Sequence, residues 1–363
     1  MVYQKPGFLK KSGFGAPGSC GNHLELLYQS RNSKTTFKVR DRLDSPHSRD
    51  IISNMSVIVF GSINMDLVAK THRLPVAGET VAGHTFFTAP GGKGANQAVA
   101  AARLGVPARL VGRVGNDSFG KELLASLQAA GVDTGSVSAD PSASTGIAAI
   151  AVDDAGENTI IIAAGANGCA GDTECDRLAQ LLPGAAALLL QLEIPLSAVL
   201  AAARAARAAQ VPVILDPAPA RAGIPAELYS LADIITPNEI EASQLAGFPV
   251  SDRKTAALAA AEFRRRGAGT AIVKLGDRGV FCAAAEESFF VPAFPVRVAD
   301  TVAAGDAFSG ALAAAIAAGL PLRQAVVWGA AAGALCATKA GAQPSLPHRH
   351  EFEAFLTERG VEL

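Results

Sequence analysis

From Met55 onward the chain alternates short β-branched runs with Ala-rich segments of helical length, and that rhythm limits the fold more than any other feature. Strands are expected at residues 57–60, 109–114, 186–192, 211–215, 234–236 and 271–275. Helices are expected between them at residues 95–104, 119–130, 196–209 and 255–266. The strand segments are apolar at successive positions instead of alternating, as strands buried on both faces are. The fold class is therefore α/β, a doubly wound, mostly parallel sheet flanked by helices. Two stretches break the rhythm: residues 67–88, with Pro75 and Gly78-Glu79-Thr80, and residues 146–163, which alternate like a hairpin. They suit a small β-sheet standing off the main one. Ligands bind outside the carboxyl ends of parallel strands, so such a sheet can serve as a lid there. Two plain surface hairpins would read the same way.

Composition narrows the function classes. With 363 residues, 49% hydrophobic and 18% charged, the chain can bury one large core or two modest ones. A formal net charge of -1 argues against a nucleic-acid partner, which calls for a concentrated basic face. Cys20, Cys169, Cys175, Cys282 and Cys336 are odd in number and lack CxxC spacing. Reduced thiols in the cytoplasm, without disulfides or structural zinc, are the expectation. Apolar runs such as residues 185–190 and 311–318 are far shorter than the roughly 20 residues of a membrane helix. A soluble protein with no membrane partner follows. Residues 1–54 hold nine Lys or Arg against four acids and show no sustained periodicity. They are expected to form a disordered extension before a folded unit spanning residues 55–363.

Three motifs carry chemistry. Asp300-Thr301-Val302-Ala303-Ala304-Gly305-Asp306 precedes an Ala-rich helix at residues 307–318, ended by Gly319 and Pro321. Small side chains leave the amides of Ala303, Ala304, Gly305 and Asp306 uncovered, and a helix start favours anions. Asp306 would then sit beside a bound phosphate, placed to accept a proton from an attacking hydroxyl and remaining ionised near the positive helix end. An ordinary N-terminal carboxylate would look the same. Gly91-Gly92-Lys93-Gly94-Ala95-Asn96 opens another helix with glycines that let a ligand reach the backbone. It is neither the GxxxxGK[ST] nor the GxGxxG fingerprint. Gly61-Ser62-Ile63-Asn64-Met65-Asp66 places Asn64 and Asp66 after the first strand, facing the same way, a pair suited to vicinal hydroxyls.

Together these motifs resemble the ribokinase-like, PfkB-type carbohydrate kinases, from about Val57 to the final helix. The N-terminal signature of that family is similar to GGKGANQAVAAARLG at 91–105, and its C-terminal signature to DTVAAGDAFSGAL at 300–312. Further matches are QLE at 191–193, DPAPAR at 216–221, TPNEIEA at 236–242, KLGDRG at 274–279 and KAGAQPS at 339–345. The resemblance implies an ATP-dependent kinase for a small neutral sugar, transferring the γ-phosphate to a primary hydroxyl, the O5 of D-ribose. It makes Asp306 the base and residues 303–306 the anion hole. It assigns sugar contacts to Asn64, Asp66, Gly92, Lys93, Gly94, Ala95, Asn96 and Glu193. Nucleotide contacts fall to Asn238, Lys274, Leu275, Gly276, Asp277, Arg278, Gly279, Gly305 and Asp306, and Mg²⁺, through water, to Glu241. It implies a K⁺ site drawing on Asp300, Val302, Cys336, Lys339, Gly341 and Ser345, and a homodimer formed through the lid.

The chain departs from the family at Ala330, where a polar or ring side chain often lies beside the adenine, and at Asp216, where some relatives carry Asn. The same fold also serves kinases of deoxyribose, fructose or nucleosides, and an idle sugar-binding protein could keep it. A phosphosugar kinase is disfavoured because only Lys70 and Lys93 lie near the sugar motifs. Arg264-Arg265-Arg266 reads as a solvated helix end, Trp328 as core, and His348 with His350 as lacking a partner for metal.

Overall fold

The structure is a computed structural model that describes residues 55–220 and 223–361. The expected extension, residues 1–54, lies outside the described residues. In chain order the first strands are β1 (Val57–Phe60), β2 (Asn64–Thr71), β3 (Gly83–Gly91), β4 (Ala108–Gly115) and β5 (Val132–Asp140). There follow β6 (Gly146–Val152), β7 (Asn158–Ala163), β8 (Ala187–Leu190), β9 (Val213–Leu215) and β10 (Ile234–Ile235). The last are β11 (Thr270–Lys274), β12 (Val280–Ala283) and β13 (Ser288–Val291). The helices begin with α1 (Lys93–Arg103), α2 (Ser118–Ala129), α3 (Asp172–Leu181), α4 (Leu196–Ala208) and α5 (Ala226–Leu231). They continue with α6 (Glu239–Ala246), α7 (Arg253–Arg265), α8 (Ala304–Ala317), α9 (Leu322–Cys336) and α10 (Arg349–Thr357).

Nine strands form one sheet in the order β13-β12-β11-β10-β9-β8-β1-β4-β5. The strands from β11 to β5 run parallel, with Val57 opposite both Ala108 and Ala187, while β12 and β13 are antiparallel at one edge. Burial explains the unbroken apolar runs. Val57 and Val59 of β1 enter a core with α1, α2, α8, α9 and α10, and Ile58 and Phe60 enter a second core with α3 to α7. Fully buried rings such as Phe263 and Phe352 each contribute roughly 1.5–3 kcal/mol of transfer free energy. Trp328 packs edge-on against Phe352, with centroids 5.2 Å apart, and belongs to the first core.

The two rhythm-breaking stretches do join as a second sheet of four strands, β3-β2-β6-β7. Its strands reach further than residues 67–88 suggest, because β2 already starts at Asn64 and pairs it with Gly91 and Gly146. Asn64 and Asp66 are thus strand residues of the small sheet. One of its faces is open: Ile161 is 72% and Phe86 66% exposed.

Candidate active site

The parallel strands β1, β8, β9, β10 and β11 all end on the same rim, which collects Ser62, Glu193, Asp216, Asn238 and Lys274. Facing them are the starts of α1 and α8. These helices pack so closely that a Cβ on Gly310 would come within 2.5 Å of the Ala100 methyl and 2.7 Å of the Gln97 carbonyl. That contact fixes the spacing of the side chains at their N-terminal ends.

Helix α8 starts at Ala304, three residues earlier than the sequence suggests, so Asp306 is its third residue. Ala303, the residue before it, adopts φ 62°, a left-handed conformation that disfavours an L residue by about 1–2 kcal/mol. The amides of Gly305 and Asp306 belong to the first turn, whose donors lack an acceptor one turn earlier, while the Ala304 amide donates to the Thr301 carbonyl at 3.2 Å. A Cβ on Gly305 would meet the Lys274 ammonium at 3.5 Å, so a cation borders the same anion-binding terminus.

Asp306 is buried, and both its oxygens accept amide hydrogen bonds from α1. Asn96 Nδ2 donates to Oδ2 at 2.9 Å and Gln97 Nε2 donates to Oδ1 at 3.1 Å. Burial pushes the Asp306 carboxyl above the usual carboxylate range, with the Asp216 charge adding to it, while Lys93, Asn96 and Gln97 oppose the rise. The helix terminus favours the ionised carboxylate expected from the sequence, and burial opposes it. Around Lys93 the balance goes the other way. Desolvation lowers its ammonium, but the fields of Asp306, Asp216, Glu193 and Glu241 outweigh it and hold the group above its ordinary value.

The sugar-motif residues meet at the same place. Gly92, at φ 90°, takes a conformation that glycine tolerates, and a Cβ there would strike the Asn64 amide at 2.7 Å. The Lys93 amide and the Ser62 hydroxyl both donate to Glu193 Oε2. Gly94 lies against Gly61, and the Ala95 amide donates to the Ser62 carbonyl at 2.9 Å, which locks the start of α1 to the end of β1. Asn64 Oδ1 accepts from Asn167 Nδ2 at 2.7 Å. Asp66 lies over Gly91, and burial, followed by the charges of Glu193 and Asp306, pushes its carboxyl up to about 7. Asn96 Oδ1 is buried with no hydrogen-bond partner, an acceptor suited to a hydroxyl.

On the nucleotide side, Asn238 and Glu241 form a capping box on α6, each side chain accepting from the other's amide at 2.8 Å. The Asn-x-x-Glu spacing thus has a structural cause as well as the implied metal role. Burial first, then Asp216, raise the Glu241 carboxyl, with Lys274 opposing. Lys274 pairs with Asp216 at 3.2 Å. The turn from Leu275 to Gly279 is closed by the Leu275 amide donating to the Gly279 carbonyl at 2.8 Å. Gly276 and Gly279 carry its positive φ values, 59° and 107°. Asp277 faces solvent, and Arg278 is bound to Glu239 and the Ser251 carbonyl.

The residues of the implied cation site also share one cluster. Asp300 accepts from the amides of Val302 at 3.0 Å and Gly341 at 2.9 Å, tying the loop before α8 to the loop after α9. Cys336 contacts the Ser345 hydroxyl at 3.0 Å and donates to the Val302 carbonyl. The Lys339 ammonium leaves the cluster for Glu351, at 2.6 Å, so that residue can contribute only main-chain atoms.

Sequence reasoning gave no role to Ser62, Gln97, Asn167, Gln191 or Asp216, all of which the structure brings to the site. Gln97 Nε2 bridges Asp306 and Asp216, and its Oε1 accepts from Gln191 Nε2 at 2.6 Å. The carboxylate at position 216, unexplained by sequence, is thus held by Gln97 and Lys274. Asn167 also bonds the backbone of Ile63 on both sides, at 2.9 and 3.0 Å. A polar residue in each otherwise small-residue segment, GGKGANQ for Gln97 and GANG for Asn167, was the available signal; Ser62 stood within a motif already quoted.

Known proteins are similar to this chain in sequence and fold. The sequence profile of pfkB family carbohydrate kinases matches residues 54–349. The Haemophilus influenzae ribokinase is 40% identical over 301 residues, covering 83% of this chain and 98% of that protein. The Mus musculus ribokinase is 41% identical over 260 residues, 71% of this chain and 80% of its own. Among solved structures, Arabidopsis thaliana ribokinase complexed with ribose and ATP superposes with a TM-score of 0.77 at 36% identity, over 83% of this chain and 98% of that one. A rim of strand ends facing two glycine-opened helices, matched by that profile over most of its length, makes the chain a member of the pfkB family of carbohydrate kinases.

Proposed function

We propose that the protein is an ATP-dependent ribose kinase, moving the γ-phosphate of ATP to the O5 hydroxyl of D-ribose. The observation that carries this reading is Asp306, buried at the amide-rich start of α8 and held by Asn96 and Gln97 of the glycine-opened α1. Phosphoryl transfer needs positioning and charge stabilisation more than a strong base. The first-turn amides and Lys274 offer donors and charge to the transferring group, and Asp306 accepts the hydroxyl proton. Its raised proton affinity suits that step, since a base with a higher pKa takes a proton more readily once ionised. Asn64, Asp66, Glu193 and the unpartnered Asn96 Oδ1 supply acceptors for sugar hydroxyls. Ribokinase relatives aligned nearly end to end support ribose over the other sugars of the fold.

The finer parts of the reading rest on the chain's own groups. Glu241 and Asp216 offer carboxylate oxygens on the phosphate side for Mg²⁺, which when bound neutralises phosphate charge. The oxygen-rich cluster of Asp300, Val302, Gly341 and Ser345 fits K⁺. The open apolar face of the small sheet supports a homodimer through the lid. Among the described residues no helix is long and apolar enough to cross a membrane. The catalytic unit is residues 55–363, and the unpaired thiols among the described residues suit a cytoplasmic setting. A coupled ADP-release assay across ribose, deoxyribose, fructose and adenosine tests the reading: the highest kcat/KM is expected for ribose, and a higher value for another acceptor, or no turnover at all, would refute it.

A further inference from the structure

The far end of the small sheet gathers three metal-binding side chains from three separate segments. His72 follows the last residue of β2, His84 is the second residue of β3, and Asp154 sits in the turn between β6 and β7. Strand pairing brings them together: Thr71 is opposite Gly83 in one register and Lys70 opposite Val152 in the other. His72 Nδ1 lies 2.9 Å from Asp154 Oδ2, and His84 Nε2 lies 3.3 Å from Asp154 Oδ1. The three donor atoms all fall within 4.8 Å of one another, and among the described residues no other His, Cys, Asp or Glu group of three does so.

We propose that His72, His84 and Asp154 form a binding site for a divalent transition-metal ion of the zinc type, which clips the β2–β3 arm of the small sheet to the β6–β7 turn. Ligands about 2.0–2.1 Å from a tetrahedral ion are roughly 3.3 Å apart, close to the two His–Asp154 separations already present. Imidazole nitrogens with one carboxylate suit zinc and its neighbours, not Mg²⁺ or Ca²⁺, which take oxygen ligands. The surroundings hold the donors in place. The other His84 nitrogen, Nδ1, is 3.1 Å from the Thr85 hydroxyl, which fixes the ring as partners of metal-bound histidines do. Asp153 Oδ1 accepts from the amides of Ala155 and Glu157, each at 2.9 Å, and so shapes the turn that presents Asp154. All three side chains are solvent-accessible, so an ion can reach the donors from solvent. Water completes the coordination.

The site stands at the opposite end of β2 from Asn64, on the order of 25 Å away at the usual rise per residue. The ion therefore ties down the sheet's tip without occupying the sugar site, and the proposal is independent of the kinase reading. Isothermal titration of the metal-depleted full chain with Zn²⁺ tests it, alongside His84→Ala, Asp154→Ala and, as a control, His348→Ala/His350→Ala. The wild type and the control are expected to share one saturable site that the first two variants lose or weaken by about 10- to 100-fold. Hydrogen exchange read on the same samples is expected to slow at residues 70–73, 83–85 and 153–157 when Zn²⁺ is added. Equal binding by wild type, His84→Ala and Asp154→Ala would overturn the proposal, as would the absence of saturable binding or the loss of the site in the control.

Discussion

Replacing Asp306 with Asn removes the proton acceptor while keeping the shape of the side chain. Both carboxylate oxygens accept amide protons, from Asn96 at 2.9 Å and Gln97 at 3.1 Å. A carboxamide offers one oxygen, so one of those donors loses its acceptor, at about 1–3 kcal/mol. Against that loss, a buried charge disappears, and the raised proton affinity of Asp306 shows that the charge is unfavourable there. The two effects oppose, and the folded variant is expected to melt within a few degrees of wild type. Catalysis has no such offset. Loss of a general base lowers turnover by roughly 10²- to 10⁴-fold. That is about 2.7–5.4 kcal/mol of barrier. In a coupled ADP-release assay the loss should fall on kcat, with ribose and ATP still binding by calorimetry. Asp300→Asn is the matched control: it breaks bonds to the Val302 and Gly341 amides beside the proposed K⁺ site, so excess K⁺ should partly restore it and never Asp306→Asn. A retained kcat with a raised KM in Asp306→Asn would refute its role as base, and salt rescue of both variants would erase the distinction between the two carboxylates.

Asp66→Asn should stabilise the sugar-free protein at pH 8, by up to about 4 kcal/mol, because the folded carboxyl is pushed from 3.8 up to about 7. The sign follows from proton binding: between those two values the folded state holds more protons than the unfolded one, so wild-type stability falls as pH rises. The gain should shrink below pH 7 and vanish below about 4, and thermal melts at pH 8 and pH 4 check it; the same variant should bind ribose more weakly. Turnover should rise when K⁺ replaces a bulky organic cation, and equal rates in both buffers would count against the cation cluster. Ile161→Asp, on the open face of the small sheet, should convert the proposed dimer to monomer in sedimentation, with an unchanged sedimentation coefficient as the opposing result.

Much of the fold was legible because the central strands are buried on both faces. Their apolar runs mark β1, β8 and β11 to within two residues at each end. The edges were not. Strand β5 reads VDTGSVSAD, with polar residues and Gly135 breaking any run, and β12 and β13 are four residues each, too short for a period to show. In the site, Asp306 and the sugar motifs could be found from glycine placement and a family resemblance. Asp306's raised proton affinity could not, because it depends on how deeply α1 and α8 bury the carboxylate. Nor could the Gln97 bridge, since nothing local says that residues 97, 216 and 306 meet. The partners of Arg278 were equally hidden: nothing local says that its guanidinium bonds Glu239 and the Ser251 carbonyl.

The start of β2 at Asn64 divides the labour of the site between two sheets. In the proposed reading, two of the sugar-contacting residues, Asn64 and Asp66, are carried by the small sheet, while Asn96, Glu193 and Asp306 belong to the large sheet and its helices. Substitutions on β2, β3 and β6 away from Gly91 and Gly146 can reshape the sugar pocket, whereas those two glycines, and Gly310 where α8 meets α1, leave no room for a methyl group. A library confined to the small sheet therefore varies the Asn64 and Asp66 side of the sugar pocket while leaving Asp306 and its partners intact.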